Sequence, residues 1–251
     1  MDSIKVINFY KFIPLAEPSA IALKLKQELA PIQVLGTIIL AREGLNAGLA
    51  GLPQDVDQAF QVICSDPHFS DLNYRESFGS SQPYRKLLIR TKHQILTFPE
   101  PFDPSIDEIH EGPALSPDQW HHKLVNKTDD LVLIDTRNRY ELEKGSFHDA
   151  SDLEIDHFKD FPDRFLKKYG DQKDKTYFMF CTGGIRCEKA VAFARKQGFE
   201  KVYKLDGGII NYLRDKGQGQ WQGECFVFDQ RWSINADRLE IGENSSEANE
   251  P

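Results

Sequence analysis

"KTYFMFCTGGIRCEKAVAFARKQGFEKVYKLDGG", residues 175–208, reads as a strand, a loop, a helix and a second strand. "TYFMF" is a short continuous apolar run, as expected of a strand buried on both faces. It ends at Phe180. Cys181, Thr182, Gly183, Gly184, Ile185 and Arg186 follow, and Cys187 opens a helix that stops at Gly198. "KVYKL" is the next strand and "GIINYLRDK" the next helix. Working outward, "LVLIDTR" is another buried strand, and "SPDQWHHKLV" and "HFKDFPDRFLKKY" are helical. Alternating strands and helices over residues 114–217 predict a doubly wound parallel sheet. Ligands of such sheets bind beyond the carboxyl ends of the strands, which is where "CTGGIR" falls.

The loop is suited to a reactive thiol. Gly183 and Gly184 permit positive φ and close backbone approach. A tight strand-to-helix turn aims successive amide N–H groups inward as an anion nest. The helix N-terminus adds partial positive charge, and Arg186 adds a full one. Lowering a cysteine pKa from ~8.5 to ~6 takes roughly 3 kcal/mol of preference for the thiolate. The same cradle, Thr182 to Arg186, would hold a persulfide or an oxyanion on Cys181. A cysteine phosphatase needs C-x5-R to surround a phosphate. The spacing here is C-x4-R, one residue short, which fits a sulfur or a single oxyanion better. Cys187 has two open readings: a second reactive thiol that resolves an oxidised or persulfidated Cys181, or a small apolar residue packing the helix start.

Residues 1–92 alternate differently. "IKVINFYKF" and "IQVLGTIIL" are strand-like, "NAGLAG" is a short return strand, and "LNYRESF" and "RKLLIRT" close the segment. "PSAIALKLKQELA" puts Ile21, Leu25 and Leu29 on one helical face. "PQDVDQAFQVICSD" does the same for Val56, Ala59, Phe60 and Ile63. The order β-α-β-β-α-β-β predicts a ferredoxin-like α+β sandwich with an extra strand. Residues 93–113, with Pro99, Pro101, Pro104 and Pro113, read as a linker or an irregular crossover. Residues 218–251 form a C-terminal extension. Its acidic end, Asp237 to Pro251, lacks aromatic residues and is expected to be disordered.

The net charge of −8 argues against a general nucleic-acid binder. "YRKLLIRTKH", residues 84–93, nonetheless carries Arg85, Lys86, Arg90 and Lys92 with no acid. It reads either as a solvated strand face or as a local RNA surface. The other cysteines, Cys64 and Cys225, complete no C-x-x-C pair, so neither a structural zinc site nor a disulfide framework is expected. No signal peptide or membrane-spanning run is apparent. The expected location is the cytoplasm, where thiols stay reduced. The sequence carries no signal of oligomeric state.

"CTGGIRCEKA" followed by "GFEKVYKLDGGI" is a rhodanese-type active-site segment. With "GTIILAREGLNAGLAG", "VLIDTRNRYELEKGSF" and "GECFVFDQR", it resembles the bacterial family of rhodanese-domain proteins that hydroxylate the wobble uridine of tRNA. Four blocks in the right order, from about residue 5 to 235, carry the resemblance. It implies conversion of that uridine to 5-hydroxyuridine, with tRNA as partner, molecular oxygen as co-substrate and no evident cofactor or metal. Cys181 matches the family's essential cysteine and Cys187 its second one. Thr182 to Arg186 match the cradle. Asp135, Arg137 and Glu141 match family positions that read chemically as structural support. The chain departs from the family at "GSFHDA", where His148 and Asp149 replace a basic residue and a glycine, and at a tail without cysteines. "AREGLNAG" reads as a second RNA-facing element or as a glycine-bounded hairpin turn. A sulfurtransferase working through a Cys181 persulfide, or a silent rhodanese binding module, would carry the same loop.

Overall fold

The computed structural model describes residues 3–227 and the backbone of residues 233–234. The first unit comprises β1 (Ile4–Phe12), α1 (Pro18–Leu29), β2 (Val34–Ala41), β3 (Gly44–Gly51), α2 (Pro53–Cys64), β4 (Arg75–Gly79) and β5 (Leu87–Thr91). The strands form one sheet in the order β4-β1-β3-β2-β5. The first four are antiparallel neighbours in the ferredoxin-like order. The extra strand, β5, adds parallel to the edge of β2.

Period-two alternation decides which residues face which side. Ile7 and Phe9 of β1 and Ile38 and Leu40 of β2 meet Leu25 and Leu29 of α1 and Val56 and Ile63 of α2 in a closed core. Both helices begin with proline at the first turn, where its missing N–H leaves no bond unmade. β3 is longer than the expected return strand and pairs along its whole length with both β1 and β2. The opposite face of the sheet, with Asn8, Tyr10 and Asn46, carries no helix of its own domain.

Residues 93–113 are packed rather than extended. Ile95 and Ile109 are buried against Phe12, Ala41 and Ala192. A short helix, α3 (Ile106–His110), starts at Ser105 with a reciprocal Ser105–Glu108 capping box.

The second unit runs β6 (Ala114–Leu115), α4 (Pro117–Val125), β7 (Leu131–Asp135), α5 (Arg139–Leu142), β8 (Gly145–Phe147), β9 (Ser151–Asp152), α6 (Phe161–Tyr169), β10 (Thr176–Phe180), α7 (Ile185–Lys196), β11 (Val202–Leu205) and α8 (Gly208–Lys216). Its sheet is parallel throughout, in the order β6-β11-β10-β7-β9. α6 and α7 cover one face through Phe161, Phe165 and Phe193. α4 and α8 cover the other through Trp120, Ile209 and Leu213. The chain then adds β12 (Trp221–Gly223), paired with β8, and β13 (Cys225–Phe226), paired with β14 (Ser233–Ile234). Trp221, Cys225 and Val227 complete the second core. The acidic segment from Asp237 onward lies outside the described residues. Asp149 takes φ 57, in the left-handed region that aspartate tolerates better than most residues. The turn after β8 thus keeps, without glycine, a conformation that glycine would adopt freely.

Candidate active site

β10 delivers Cys181 to the carboxyl edge of the parallel sheet, and the loop to α7 folds around its sulfur. The Gly184 N–H donates to Cys181 Sγ at 3.2 Å, with Gly184 at φ 95. Gly183 has no positive φ, so only one of the two glycines is required by backbone conformation. α7 begins at Ile185, two residues earlier than the sequence pattern suggested, and Cys187 sits inside its first turn. The carbonyls of the loop are held away from the sulfur. Ile209 N–H donates to the Cys181 carbonyl at 3.0 Å and Ile210 N–H to the Thr182 carbonyl at 3.1 Å. The first turn of α8 thereby takes the acceptors and leaves the donors for Cys181. Gly208 permits this contact. It has φ 70, and a Cβ there would lie 2.5 Å from the Cys181 carbonyl oxygen and 2.7 Å from Gly184 N.

Cys181 is fully buried, and burial by itself would push its pKa up. A hydrogen bond from the Cys187 thiol, the Arg186 charge, and the Cys187 and Arg186 amides outweigh this and bring it down to about 6. Cys187 goes the other way, well above the usual thiol range. Burial is the main cause, followed by its hydrogen bond to Cys181. Its sulfur also lies 3.6 Å from Thr136 Oγ1, and it does not line the cavity described below. Burial also raises Cys64, and raises Cys225 to about 12. Of the four cysteines, Cys181 alone is brought down.

Arg186 does not stand in the loop as an uncompensated charge. Its guanidinium forms a two-point ion pair with buried Glu141, Nη2 to Oε2 at 2.8 Å and Nη1 to Oε1. Glu141 is fixed at the start of α5, where its Oε1 accepts the Asn138 N–H at 2.9 Å. Behind this pair lies a second one. Asp135, at the end of β7, accepts from Arg137 Nε at 2.9 Å, Arg137 Nη2 at 2.6 Å and Ser146 Oγ at 2.8 Å. Arg137 also donates to the Gly145 carbonyl at 2.6 Å and lies over the Trp221 ring. Asp135 and Arg137 therefore brace β7, β8 and the C-terminal extension and do not reach the sulfur.

The helix-free face of the first sheet closes over the loop. Tyr10 Oη donates to Glu188 Oε1 at 2.9 Å, and Arg75 Nε donates to the Gly207 carbonyl at 3.0 Å. The Arg75 guanidinium lies over the Tyr10 ring. Fully buried Lys189, on α7, joins Glu43 Oε2 and Asp103 Oδ1, both at 2.8 Å, and the Leu96 carbonyl at 3.0 Å. Between the sheet and the loop remains a cavity of about 400 Å³. Cys181, Thr182 and Gly183 form one wall, and Tyr10, Asn46 and Arg75 belong to the other.

Residues 4–95 match the family described as UPF0176 acylphosphatase like domain, and residues 117–215 match the Rhodanese-like domain. Curated tRNA uridine(34) hydroxylases from Legionella pneumophila strains Paris and Corby are each 39% identical to this chain over 238 residues, which is 94% of this chain and 92% of theirs. The chain belongs to the tRNA uridine(34) hydroxylase family. Among solved structures, a rhodanese-like domain from an Anabaena species aligns with 44% of this chain and 79% of its own, at 18% identity and a TM-score of 0.37.

In this member of the tRNA uridine(34) hydroxylase family, "AREGLNAG" is a hairpin that turns inward. It supplies Glu43 to the Lys189 ion pair and Asn46 to the cavity, while Arg42 stays exposed. Arg85, Lys86, Arg90 and Lys92 are all exposed on and around edge strand β5, outside the cavity. Arg90 pairs in register with Ile39, a residue of the cavity wall, so it stands on the same face of the sheet one strand away. Tyr10, Arg75, Lys189 and Gly208 carry no sequence motif of their own. The "LDGG" ending of the second strand was the one visible trace of Gly208. Among the described residues, no cluster of three or more His, Cys, Asp or Glu is arranged to hold a metal, and no helix is long and apolar enough to cross a membrane.

Proposed function

We infer that the chain hydroxylates the wobble uridine, U34, of tRNA to 5-hydroxyuridine, and that the Cys181 thiolate is the group that touches the base. The observation carrying this reading is an ionised thiol, at about 6, in the wall of a cavity roomy enough for one nucleoside. Thiolate addition to C6 of uracil moves an electron pair onto C5 and O4. The nucleophilic C5 then takes oxygen, and loss of the C5 proton with departure of the thiolate restores the ring. Inserting one atom of O2 and releasing the other as water consumes two electrons and two protons. A thiol reductant supplies both, directly or through a disulfide closed between Cys181 and Cys187. The Gly184, Arg186 and Cys187 amides hold the sulfur as an anion before addition and after departure. Sulfur transfer through a Cys181 persulfide needs only that cradle. A cavity walled by the first sheet supports a larger substrate.

Arg85, Lys86, Arg90 and Lys92, exposed on and around β5, supply phosphate contacts, which makes binding salt-dependent. The work takes place in the cytoplasm, where free thiols persist. The decisive measurement is mass spectrometry of tRNA nucleosides from cells carrying the intact chain or Cys181→Ser as the sole copy. The expected result is loss of 5-hydroxyuridine in the variant. Undiminished 5-hydroxyuridine would refute the role of Cys181.

A further inference from the structure

Three carboxamides line the cavity, Asn8, Asn46 and Asn138, and the last two have their nitrogens engaged. Asn46, on β3, donates from Nδ2 to the Ile95 carbonyl at 3.2 Å. Asn138, which begins α5, donates from Nδ2 to Tyr140 Oη at 3.1 Å. The Ile95 carbonyl can only accept, so the Asn46 nitrogen is fixed on it and the Asn46 oxygen is left as an acceptor; the Tyr140 hydroxyl orients the Asn138 carboxamide with Oδ1 as the remaining acceptor but does not lock it. The Asn138 Oδ1 atom is buried; it faces the Glu141 N–H in a capping box but makes no hydrogen bond of good geometry. The nearby Glu141 N–H goes instead to the Asn138 main-chain carbonyl at 2.9 Å. An unpartnered buried acceptor is costly in a resting protein, and a bound donor removes the cost. Beside Asn46 on the same strand, Gly48 keeps the sheet low. A Cβ there would lie 2.5 Å from Tyr84 Oη and 2.8 Å from Asn8 Oδ1. A glycine inside a central strand is a place of close approach.

A uridine within an RNA chain has two hydrogen-bond donors, the ring N3–H and the ribose 2′-hydroxyl, because its other hydroxyls are esterified. We propose that the cavity receives U34 as a single unstacked nucleoside, with Asn46 Oδ1 accepting N3–H and Asn138 Oδ1 accepting the 2′-hydroxyl. The proposal rests on the U34 reading and assigns the residues that select the base and the sugar. The assignment follows from ring geometry. C6 adjoins N1, which bears the ribose, and N3 lies at the opposite corner. Asn138 belongs to the Cys181 side of the cavity and Asn46 to the facing sheet. A sulfur over C6 therefore brings the ribose toward Asn138 and turns N3 toward Asn46. Cytidine would put a lone pair against Asn46 Oδ1, and a deoxynucleotide would leave Asn138 Oδ1 unpaired. An enzyme that acts on one base must in any case take it out of the stack.

The test uses the full chain carrying Cys181→Ser, which binds without turnover, and four anticodon stem-loop RNAs. Position 34 is uridine, cytidine, N3-methyluridine or 2′-deoxyuridine, and affinity is read by fluorescence anisotropy. Cytidine and N3-methyluridine should bind about tenfold more weakly than uridine, and 2′-deoxyuridine about fivefold more weakly. Adding Asn46→Leu should abolish the first preference and keep the second; adding Asn138→Leu should do the reverse. Equal affinity for all four RNAs overturns the proposal. So does a preference that survives both substitutions. All four RNAs meet the same Cys181→Ser protein with both asparagines in place, so misfolding of an asparagine variant cannot produce the first result. If cells show no 5-hydroxyuridine with the intact chain, the hydroxylation reading fails while these affinities still decide the base-reading one. Equal affinities alongside normal hydroxylation overturn the base-reading proposal alone.

Discussion

Replacing Cys187 by alanine removes one donor from the Cys181 sulfur and leaves every backbone amide of the loop in place. The Cys181 thiol titrates at about 6, against ~8.5 for a free cysteine, a difference of roughly 3 kcal/mol. Burial opposes ionisation there, so the donors together contribute more than that difference. They are the Cys187 thiol, the Arg186 charge and the amides, with Gly184 N–H at 3.2 Å. A hydrogen bond to a charged group contributes ~1.5–3 kcal/mol. At ~1.36 kcal/mol per pH unit, Cys187→Ala should therefore raise the Cys181 midpoint to roughly 7–8. Cys187→Ser keeps a donor and should raise it less. The assay is thiolate ultraviolet absorbance across pH. Cys64, Cys187 and Cys225 are all raised, so the transition near 6 belongs to Cys181, and Cys181→Ser should erase it. A midpoint unmoved in Cys187→Ala, with the protein still folded, would refute the thiol–thiolate hydrogen bond and leave the amides and Arg186 as the whole cause.

The same lowered pKa predicts a pH-dependent stability. A thiol whose folded pKa is depressed contributes stability that is complete above its unfolded value of ~8.5 and is lost as pH falls through about 6. The stability of the intact chain relative to Cys181→Ser should therefore fall by roughly 3 kcal/mol across that window in urea melts. Gly208→Ala should cost at least about 2 kcal/mol, because it combines a left-handed backbone with contact on the loop's own main chain. The Cys181 midpoint should rise in the same variant. Lys189→Met should cost about 3 kcal/mol in the same melts, because it leaves Glu43 and Asp103 facing each other without their buried cation.

Much of the fold was legible because burial leaves a periodic trace. The continuous apolar runs of β7 and β10 marked a parallel sheet, and the alternation of β1 marked a one-sided one. α8 begins and ends where "GIINYLRDK" does. β6 and β9 were not legible, since two-residue strands exist only by pairing with neighbours already in place. Cys181 and its loop could be read from spacing. The partner of Arg186 could not, because Glu141 lies in a four-residue helix whose position depends on the Asp135–Arg137 brace. Tyr10 and Arg75 were invisible for a related reason. Alternation says which face a strand residue takes, but not what that face will meet.

What that face meets separates a general loop from a particular enzyme. Amides around a thiolate suit any reaction that passes through a sulfur anion, and nothing in "CTGGIR" chooses among them. The groups that we propose make the choice, Asn46 on the first sheet and Asn138 beside Glu141, belong to elements outside the loop. The distance of Asn46 from Cys181 is set by contacts between the domains. Lys189 is the one that reaches Asn46 most directly, since it stands on the helix that Cys181 leads into and pairs with Glu43 in the hairpin that carries Asn46. Loosening that grip should leave the thiol ionised, because its donors all lie within the loop and α7. It should instead degrade recognition of the base. The second unit sets the acidity of Cys181, and its contact with the first sets the cavity in which we propose that acidity acts.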